Sequence, residues 1–249
     1  MLSKSQLSFI KSLHQKKYRK ESGIFIIEGI KSIIEFIGSS YQIHSSYYLP
    51  QYHSLLPNLP TNIKLFEVNN AELDKISTLQ TPQGILALVN IPESTKINRS
   101  ALKNTFTLVL DGVQDPGNMG TIIRTADWFG FKQIICSTNT VEIYNPKVVQ
   151  ATMGSLSRIN IFYEDLPEFL KSNTIPVFGA LLEGKSLYTT DWKKEGLIIL
   201  GNEGQGITEE ILPYITNKVT IPRVGGAESL NVAISAAILC ADINRNLQK

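Results

Sequence analysis

One stretch of the sequence, residues 111–130 (DGVQDPGNMGTIIRTADWFG), combines turn residues with isolated polar side chains that could act on a ligand. It follows an apolar strand candidate and leads into a mostly apolar helix start that carries Arg124. Open α/β sheets bind ligands at the carboxyl ends of their strands, so the stretch predicts a site. An arginine in such a helix often pairs with a nearby acid, here Asp127. Alternatively, its planar guanidinium binds a phosphate or stabilises a developing oxyanion.

Two later stretches have the same strand–turn–helix character. The glycines of GNEGQG (201–206) let the backbone approach a flat or charged ligand, and Glu203 would lie best beside a cation. Their spacing departs from the dinucleotide fingerprint, which disfavours a nucleotide-dependent dehydrogenase. In IPRVGGAESLN (221–231), Ser229 is suited to cap the following helix, and the Asn231 amide can both donate and accept. A plain helix cap and a ligand-binding loop both remain open here.

The composition limits the class of protein. Of the 249 residues, 43% are hydrophobic and 18% are charged, as in soluble globular proteins. No apolar run approaches the ~20 residues that span a bilayer, and the first residues do not resemble a secretory signal, so we expect a cytoplasmic protein. The two cysteines, Cys136 and Cys240, lie in apolar elements and are expected to be buried free thiols. Neither they nor the three histidines have metal-ligand spacing, so we expect no metal.

Basic residues are concentrated at the amino terminus. The first 20 residues hold six lysines and arginines and no acid, whereas the rest of the chain is slightly acidic. Such a segment favours contact with a polyanion, although a solvated helix face would have the same charge pattern. The candidate RNA-binding residues in this segment are Lys16, Lys17, Arg19 and Lys20.

The order of predicted elements divides the chain into two domains. Residues 1–95 form a first domain of short elements, residues 96–104 are a polar linker, and residues 105–249 form a second domain. In the second domain apolar strands alternate with helices, which predicts an α/β fold with a mainly parallel sheet covered by helices on both faces. The strands are predicted at 24–27, 43–49, 63–68, 84–89, 105–110, 132–137, 158–163, 175–180, 196–201 and 218–222, and the helices at 29–37, 146–152, 164–172, 208–215 and 231–246.

The three strand–turn–helix stretches together resemble the signature motifs of the SpoU (TrmH-like) branch of the SPOUT RNA methyltransferases. The resemblance covers most of residues 105–249, in the order and with the spacing of that family. In addition, KKYRKESGIFIIEG (16–29) is similar to the small α/β substrate-binding domain that many of these enzymes carry. The resemblance implies a deep trefoil knot near the carboxyl end of the second domain, an exception to the rule that chains do not thread loops.

The resemblance also implies an activity. The family transfers a methyl group from S-adenosylmethionine to a ribose 2′-hydroxyl of rRNA or tRNA, works as a homodimer and needs no metal. Carried over by position, the residues acting on the ribose are Arg124, Asn118, Glu203, Ser229 and Asn231, and those near the cofactor are Ala180, Gly201, Ile221 and Leu230.

Two departures from the family pattern bear on the substrate. Residues 152–155 read Thr-Met-Gly-Ser where many relatives carry Ser-x-Gly-Ala, and Arg223 stands where an apolar residue is common. The separate first domain favours rRNA as the substrate, since the tRNA branch usually resembles a lone catalytic domain. The alternatives are a tRNA ribose 2′-O-methyltransferase and a catalytically inactive RNA-binding module. The joint presence of Arg124 and Glu203 with the Ser229 and Asn231 motif argues against the inactive module.

Overall fold

The structure, a computed structural model, describes residues 1–56, 63–93 and 96–248. Its α-helices are α1 (Lys4–Ser12), α2 (Lys16–Ser22), α3 (Ile30–Ile37), α4 (Asn70–Ile76), α5 (Pro116–Trp128), α6 (Pro146–Thr152), α7 (Leu166–Lys171) and α8 (Val232–Leu247). Its strands are β1 (Ile24–Glu28), β2 (Ile43–Tyr48), β3 (Lys64–Glu67), β4 (Ile85–Asn90), β5 (Phe106–Leu110), β6 (Gln133–Ser137), β7 (Asn160–Glu164), β8 (Val177–Ser186), β9 (Gly196–Leu200) and β10 (Asn217–Thr220).

The chain forms two compact units, and the first is discontinuous in sequence. The first unit comprises Met1–Glu93 together with Glu142–Arg158, and the second comprises Ser94–Val141 with Ile159–Lys249. Segment 142–158 therefore packs with the amino-terminal residues, although the sequence analysis assigned it to the second domain. The boundaries proposed there, with a linker at 96–104, stay a prediction.

The first unit is built on a four-stranded sheet in the order β1-β4-β2-β3. The β1–β4 and β2–β4 pairs are antiparallel, whereas β2 and β3 run parallel. Helices α1 and α4 begin with capping boxes, at Ser3 and Asn69, which satisfy the first free N–H groups of each helix. Apolar side chains of these helices and of the sheet form one buried cluster, which includes Ile10, Leu73 and Leu86.

Segment 142–158 is tied into the first unit at several points. The Tyr144 ring packs on Phe25, with 4.6 Å between the ring centroids. Glu142 forms an ion pair with Arg19, and α6 packs against β1. The segment thus supplies part of the interior of a unit whose other elements lie more than 50 residues earlier in the chain.

The second unit is an α/β domain with a parallel sheet, as the sequence predicted. Its six strands run in the order β10-β8-β9-β5-β6-β7, and each neighbouring pair is parallel. The strands are apolar because helices cover the sheet, and β5, β6 and β9 are buried along their whole length. Helix α8 packs against α5.

Two predictions about the second unit have clear outcomes. The helix predicted at 208–215 is wrong, since only a 3-10 turn forms there, at Leu212–Tyr214. Pro213 lacks the N–H that an α-helical ladder across 208–215 would need, so only the short turn forms. The two cysteines are buried free thiols, as predicted. Burial raises the pKa of Cys240 to about 12 and raises that of Cys136 as well.

The described residues contain no helix that combines the length and apolarity needed to cross a membrane.

Candidate active site

The candidate site lies where the strand order of the second unit reverses. From β5 the chain continues to β6 and β7 on one side, whereas β9, β8 and β10 lie on the other side. Leu110, the last residue of β5, is paired with Leu200, the last residue of β9. The loops after these two strands therefore leave the sheet side by side, at the position where open α/β sheets form a ligand crevice.

Buried polar contacts hold the two loops together. The carboxylate of Asp111, which is buried, accepts a hydrogen bond from the Thr208 N–H at 2.7 Å. The Asn202 amide donates to the Gly112 carbonyl at 2.7 Å, and the Gly112 N–H donates to the Ser137 hydroxyl at 2.8 Å. The roles of these three side chains were not predicted from the sequence. An acid that ends a buried strand is the signal that could have revealed Asp111.

The GNEGQG stretch forms a tight turn closed by its own backbone. Asn202 and Gly206 exchange two N–H···O hydrogen bonds of 2.9 Å, and the Asn202 side chain accepts from the N–H groups of Gly204 and Gln205. A Cβ atom at Gly201 would lie 2.1 Å from the Gly206 carbonyl carbon, so only glycine fits there. At Gly201, the backbone that comes close is therefore that of the same turn, at Gly206.

Three of the predicted catalytic residues form one hydrogen-bonded chain, the Glu203–Asn118–Asn231 chain. The Asn118 amide donates to the Glu203 carboxylate at 2.9 Å, and its oxygen accepts from the Asn231 amide at 2.9 Å. The backbone N–H groups of Asp115 and Gln114 also point at the carboxylate, at 3.3 and 3.4 Å. Residues from three separate motifs thus meet at the carboxyl end of the sheet.

The charge of Glu203 fixes the direction of this chain. Partial burial by itself would raise the pKa of Glu203. However, hydrogen bonds from the Asn118 amide, its own backbone and the N–H groups of Gln114 and Asp115 outweigh burial and lower that pKa below its ordinary value. Glu203 is therefore ionised at neutral pH and can only accept hydrogen bonds. Asn118 consequently donates to Glu203 and accepts from Asn231.

The cap of α8 differs from the sequence expectation. Ser229 was suited to be the N-cap with Asn231 in the first turn, but Asn231 itself is the N-cap. Its side-chain oxygen accepts from the N–H groups of Ala233 and Ile234, at 2.9 and 3.2 Å. Ser229 lies exposed in the loop before the helix. Asn231 therefore joins the start of α8 to the Glu203–Asn118–Asn231 chain.

Arg124 lies outside this hydrogen-bonded chain. It is exposed on α5, six residues after Asn118, which is about 9 Å along the helix axis. Its role therefore stays a prediction.

The predicted cofactor residues lie in β8 and in the loops that follow its neighbours β9 and β10. Strands β10, β8 and β9 are neighbours, and Gly179 of β8 is paired with both Ile199 and Lys218. The predicted positions lie just beyond this level, in β8 and in the loops after β9 and β10: Ala180, Gly201, Ile221 and Leu230. Loop 222–230 is exposed throughout, with Val224 and Leu230 as exposed apolar side chains. Exposed backbone and apolar side chains suit a ligand with a flat aromatic base.

Of the four predicted RNA-binding residues in the first unit, three are exposed: Lys16, Lys17 and Lys20. The prediction for Arg19 is not supported, because its side chain is only 2% exposed. All three guanidinium nitrogens donate inside the unit, to the Glu142 carboxylate and to the carbonyls of Leu13 and His14. Arg19 therefore holds the fold and presents no donor group to solvent.

Both units are similar to known protein families. Residues 105–241 match the SpoU rRNA Methylase family, and residues 4–87 match the MRM3-like substrate binding domain. The chain is 32% identical to the 23S rRNA (guanosine(2553)-2′-O)-methyltransferase RlmP of Bacillus subtilis, over 92% of each chain.

Two solved structures of RNA-modifying enzymes are also similar to this chain. An AdoMet-bound rRNA methyltransferase from Sinorhizobium meliloti superimposes with a TM-score of 0.87 at 30% identity, over 99% of this chain and 97% of the other. A TrmH/SpoU tRNA modifying enzyme from A. aeolicus matches at 26% identity with a TM-score of 0.52, over 60% of this chain and 80% of its own. The resemblance drawn from the sequence motifs is therefore confirmed, and the chain belongs to the SpoU rRNA methylase family.

Proposed function

We propose that this protein methylates a ribose 2′-hydroxyl of rRNA with S-adenosylmethionine as the methyl donor. The observation that carries the proposal is the Glu203–Asn118–Asn231 chain at the strand-order reversal of a SpoU-family domain. The protein is an RNA ribose 2′-O-methyltransferase, and S-adenosylmethionine is its cofactor. The rRNA substrate is the finer part of the proposal.

The residues around the cofactor loops fit S-adenosylmethionine. When bound, it supplies a methyl group that is already activated by the positive sulfonium. Ala180, Gly201 and Ile221 would hold it largely through backbone groups, and the exposed Leu230 would cover an apolar face of the adenine. Because the methyl group is already activated, the protein has mainly to orient the ribose 2′-hydroxyl and to stabilise the charge that develops on its oxygen.

Orientation and charge stabilisation are then the tasks of the polar residues. Holding the 2′-oxygen in line with the methyl group removes most of the entropic cost of the reaction. We assign Arg124 to stabilise the negative charge that develops on this oxygen, because a guanidinium hardly deprotonates in a protein and cannot serve as the base. Asn118, Glu203, Ser229 and Asn231 are assigned to position Arg124 and the ribose. The proton leaves to a phosphate oxygen or to water.

The presence of the first unit supports rRNA as the substrate in preference to tRNA. The relative that acts on 23S rRNA is matched over 92% of this chain, which includes the first unit. The tRNA modifying enzyme is matched over only 60%, about the share that the second unit contributes. An additional substrate-binding unit is therefore shared with the rRNA enzyme.

The test is methyl transfer from labelled S-adenosylmethionine to separate rRNA and tRNA pools. We expect label in rRNA, on a nucleoside whose 2′-O-methyl group makes the adjacent phosphodiester resistant to alkali. Label that enters tRNA alone would refute the rRNA assignment, and label on a base would refute ribose methylation.

The assignment of Arg124 is tested by Arg124→Lys. Lysine keeps the positive charge but loses the planar fork, so we expect kcat to fall about tenfold or more with little change in the KM for S-adenosylmethionine. Arg245→Lys, on α8, is a matched control for the chemical change. Near-normal turnover of Arg124→Lys would contradict a role for the fork.

We further propose a homodimer that uses α5 and α8. Trp128 at the end of α5 is 83% exposed, and Ile234 and Leu247 on α8 are about half exposed. Large exposed apolar side chains on packed helices favour an interaction surface. Light scattering should give twice the chain mass for the native protein and the single mass for Trp128→Glu. The trefoil knot and the cytoplasmic location implied earlier remain parts of the proposal.

A further inference from the structure

An exposed aromatic ring interrupts the basic surface of the first unit. Helix α2 reads KKYRKES, and its residue Tyr18 is 39% exposed between exposed lysines. Its neighbour Arg19 faces the interior instead, with only 2% of it exposed. A ring that is presented to solvent beside lysines is the combination that single-stranded nucleic acid binders use, with aromatic rings for bases and cations for phosphates.

We propose that Tyr18 stacks on an unpaired base of the RNA substrate, while Lys17 contacts the phosphate of the same nucleotide. The inference rests on the proposed function, because it requires RNA as the substrate. Beyond the proposed function, it states that the first unit recognises an unpaired nucleotide. A phosphate contact alone would not distinguish an unpaired nucleotide from a paired one.

Hydrogen bonds hold α2 in place, so the Tyr18 ring is presented by a rigid element. Arg19 donates to the carbonyls of Leu13 and His14, at 2.9 and 3.0 Å, and to the Glu142 carboxylate. At the carboxyl end of α2, the Ser22 hydroxyl donates to the Tyr18 carbonyl at 2.7 Å, and Gly23 ends the helix in a left-handed conformation. A tyrosine on such a helix loses little conformational freedom when it stacks, since only two side-chain torsions are involved.

The charge beside the ring is available to a phosphate. The Lys17 ammonium lies over the Tyr18 ring, 5.8 Å from its centroid, so the base is expected to stack on the other face of the ring. Its contact with Glu21 is 3.9 Å long between two side chains that are each more than half exposed, so that pair contributes little. A nucleotide carries its base and its phosphate as neighbours, and the Tyr18–Lys17 pair offers a partner to each.

The experiment measures binding of the full-length protein to two labelled RNAs by fluorescence anisotropy, without cofactor. One RNA is a stem–loop with an unpaired loop, and the other is a fully paired duplex of similar length. The variants are Tyr18→Ala, Tyr18→Phe and Lys17→Ala. Tyr188→Ala is the matched control, because Tyr188 is 64% exposed but lies in the second unit. Each affinity is measured over a range of salt concentrations.

We expect Tyr18→Ala to weaken stem–loop binding about 5- to 150-fold, the range for loss of one base–aromatic stack, and to leave duplex binding unchanged. The slope of log affinity against log salt should stay the same. Tyr18→Phe should bind like the native protein. In contrast, Lys17→Ala should reduce the magnitude of the slope by about 0.7, the value for one phosphate of a single strand.

Three outcomes would overturn the inference. Tyr18→Ala could bind the stem–loop as tightly as Tyr188→Ala does, or it could lose duplex binding equally. Tyr18→Phe could also be as weak as Tyr18→Ala, which would mean a hydrogen bond from the hydroxyl group instead of stacking. If the native protein binds neither RNA and methylates none, then the proposed function itself fails, and this result is distinct from the other three.

Discussion

Glu142 should be one of the most destabilising positions to mutate in the first unit. Its carboxylate accepts from Nε of Arg19 at 3.1 Å and from Nη2 at 2.6 Å. The Arg19 side chain is 2% exposed and that of Glu142 is 19% exposed. Glu142→Ala would leave the Arg19 cation in the interior with only the Leu13 and His14 carbonyls as acceptors.

The expected magnitude follows from this burial. Removing one partner of a buried ion pair costs about 3–5 kcal/mol, because the remaining charge is desolvated and uncompensated. Some water can reach the partly exposed Glu142 position, so we expect the lower end, about 3 kcal/mol. With a urea dependence of about 2 kcal/mol per molar, the unfolding midpoint of the first unit should fall by about 1.5 M.

The assay can separate the two units. Both tryptophans, Trp128 and Trp192, lie in the second unit, so intrinsic tryptophan fluorescence reports its unfolding, while far-UV circular dichroism reports both units. Glu142→Ala should shift the dichroism transition more than the fluorescence transition. Glu35→Ala is the matched control, because Glu35 pairs with Arg158 but both side chains are more than 40% exposed, and its loss should cost less than about 1 kcal/mol.

A double variant tests the reason for the loss. Arg19→Met combined with Glu142→Leu removes both charges and fills the space with apolar atoms, which should restore most of the stability that Glu142→Ala loses. A Glu142→Ala midpoint equal to that of Glu35→Ala would refute the argument from burial. A double variant less stable than Glu142→Ala would show that packing of the arginine stem, not its charge, is decisive.

Other predictions concern the second unit. Asn118→Ala should lower kcat about ten- to a hundredfold with little change in the KM for S-adenosylmethionine, since Glu203 and Asn231 lose their common partner; a changed KM with native kcat would contradict the assignment. The pKa of Glu203 is lowered, so its stabilising contribution is complete above its ordinary value near pH 4.5 and is lost as the pH falls through its lower folded value. The stability difference between the native protein and Glu203→Gln should therefore be constant from pH 7 to about pH 5 and shrink in more acidic solution. Cys136 and Cys240 should react with a thiol reagent only in denaturant, because both are buried with raised pKa values; rapid labelling of the folded protein would refute this.

Much of the second unit could be predicted from the sequence, because its strands are continuous apolar runs. The register of β5 and β9 brings the ends of two such runs side by side, and the loops after them carry residues that were assigned to the site. Asn118 and Glu203, 85 residues apart, are in hydrogen-bond contact for this reason. Glu203 was expected beside a cation, but the neutral amide of Asn118 is a side-chain partner of its carboxylate.

The errors arose where one side chain could serve two purposes. Arg19 has basic neighbours and was interpreted as part of a charged surface, but the Glu142 carboxylate, 123 residues away, determines its position. Ser229 and Asn231 both have side chains suited to cap α8, but the helix begins at Val232, so Asn231 occupies the N-cap position and its amide also donates to Asn118. Such choices depend on contacts distant in sequence, so the local pattern of one chain does not determine them.

The discontinuity of the first unit has a consequence for how such proteins can be rearranged. A substrate-binding domain that ended at Glu93 could be exchanged between enzymes, or expressed alone, as one continuous cassette. Here the interior of that unit also needs Tyr144 and Glu142, which the ribosome makes only after β5, α5 and β6. The first unit is therefore completed only after β5 and β6, two of the six strands of the second unit's sheet, have been made. A recombination joint placed between residues 93 and 142 would separate Arg19 from the segment that supplies its carboxylate, Glu142.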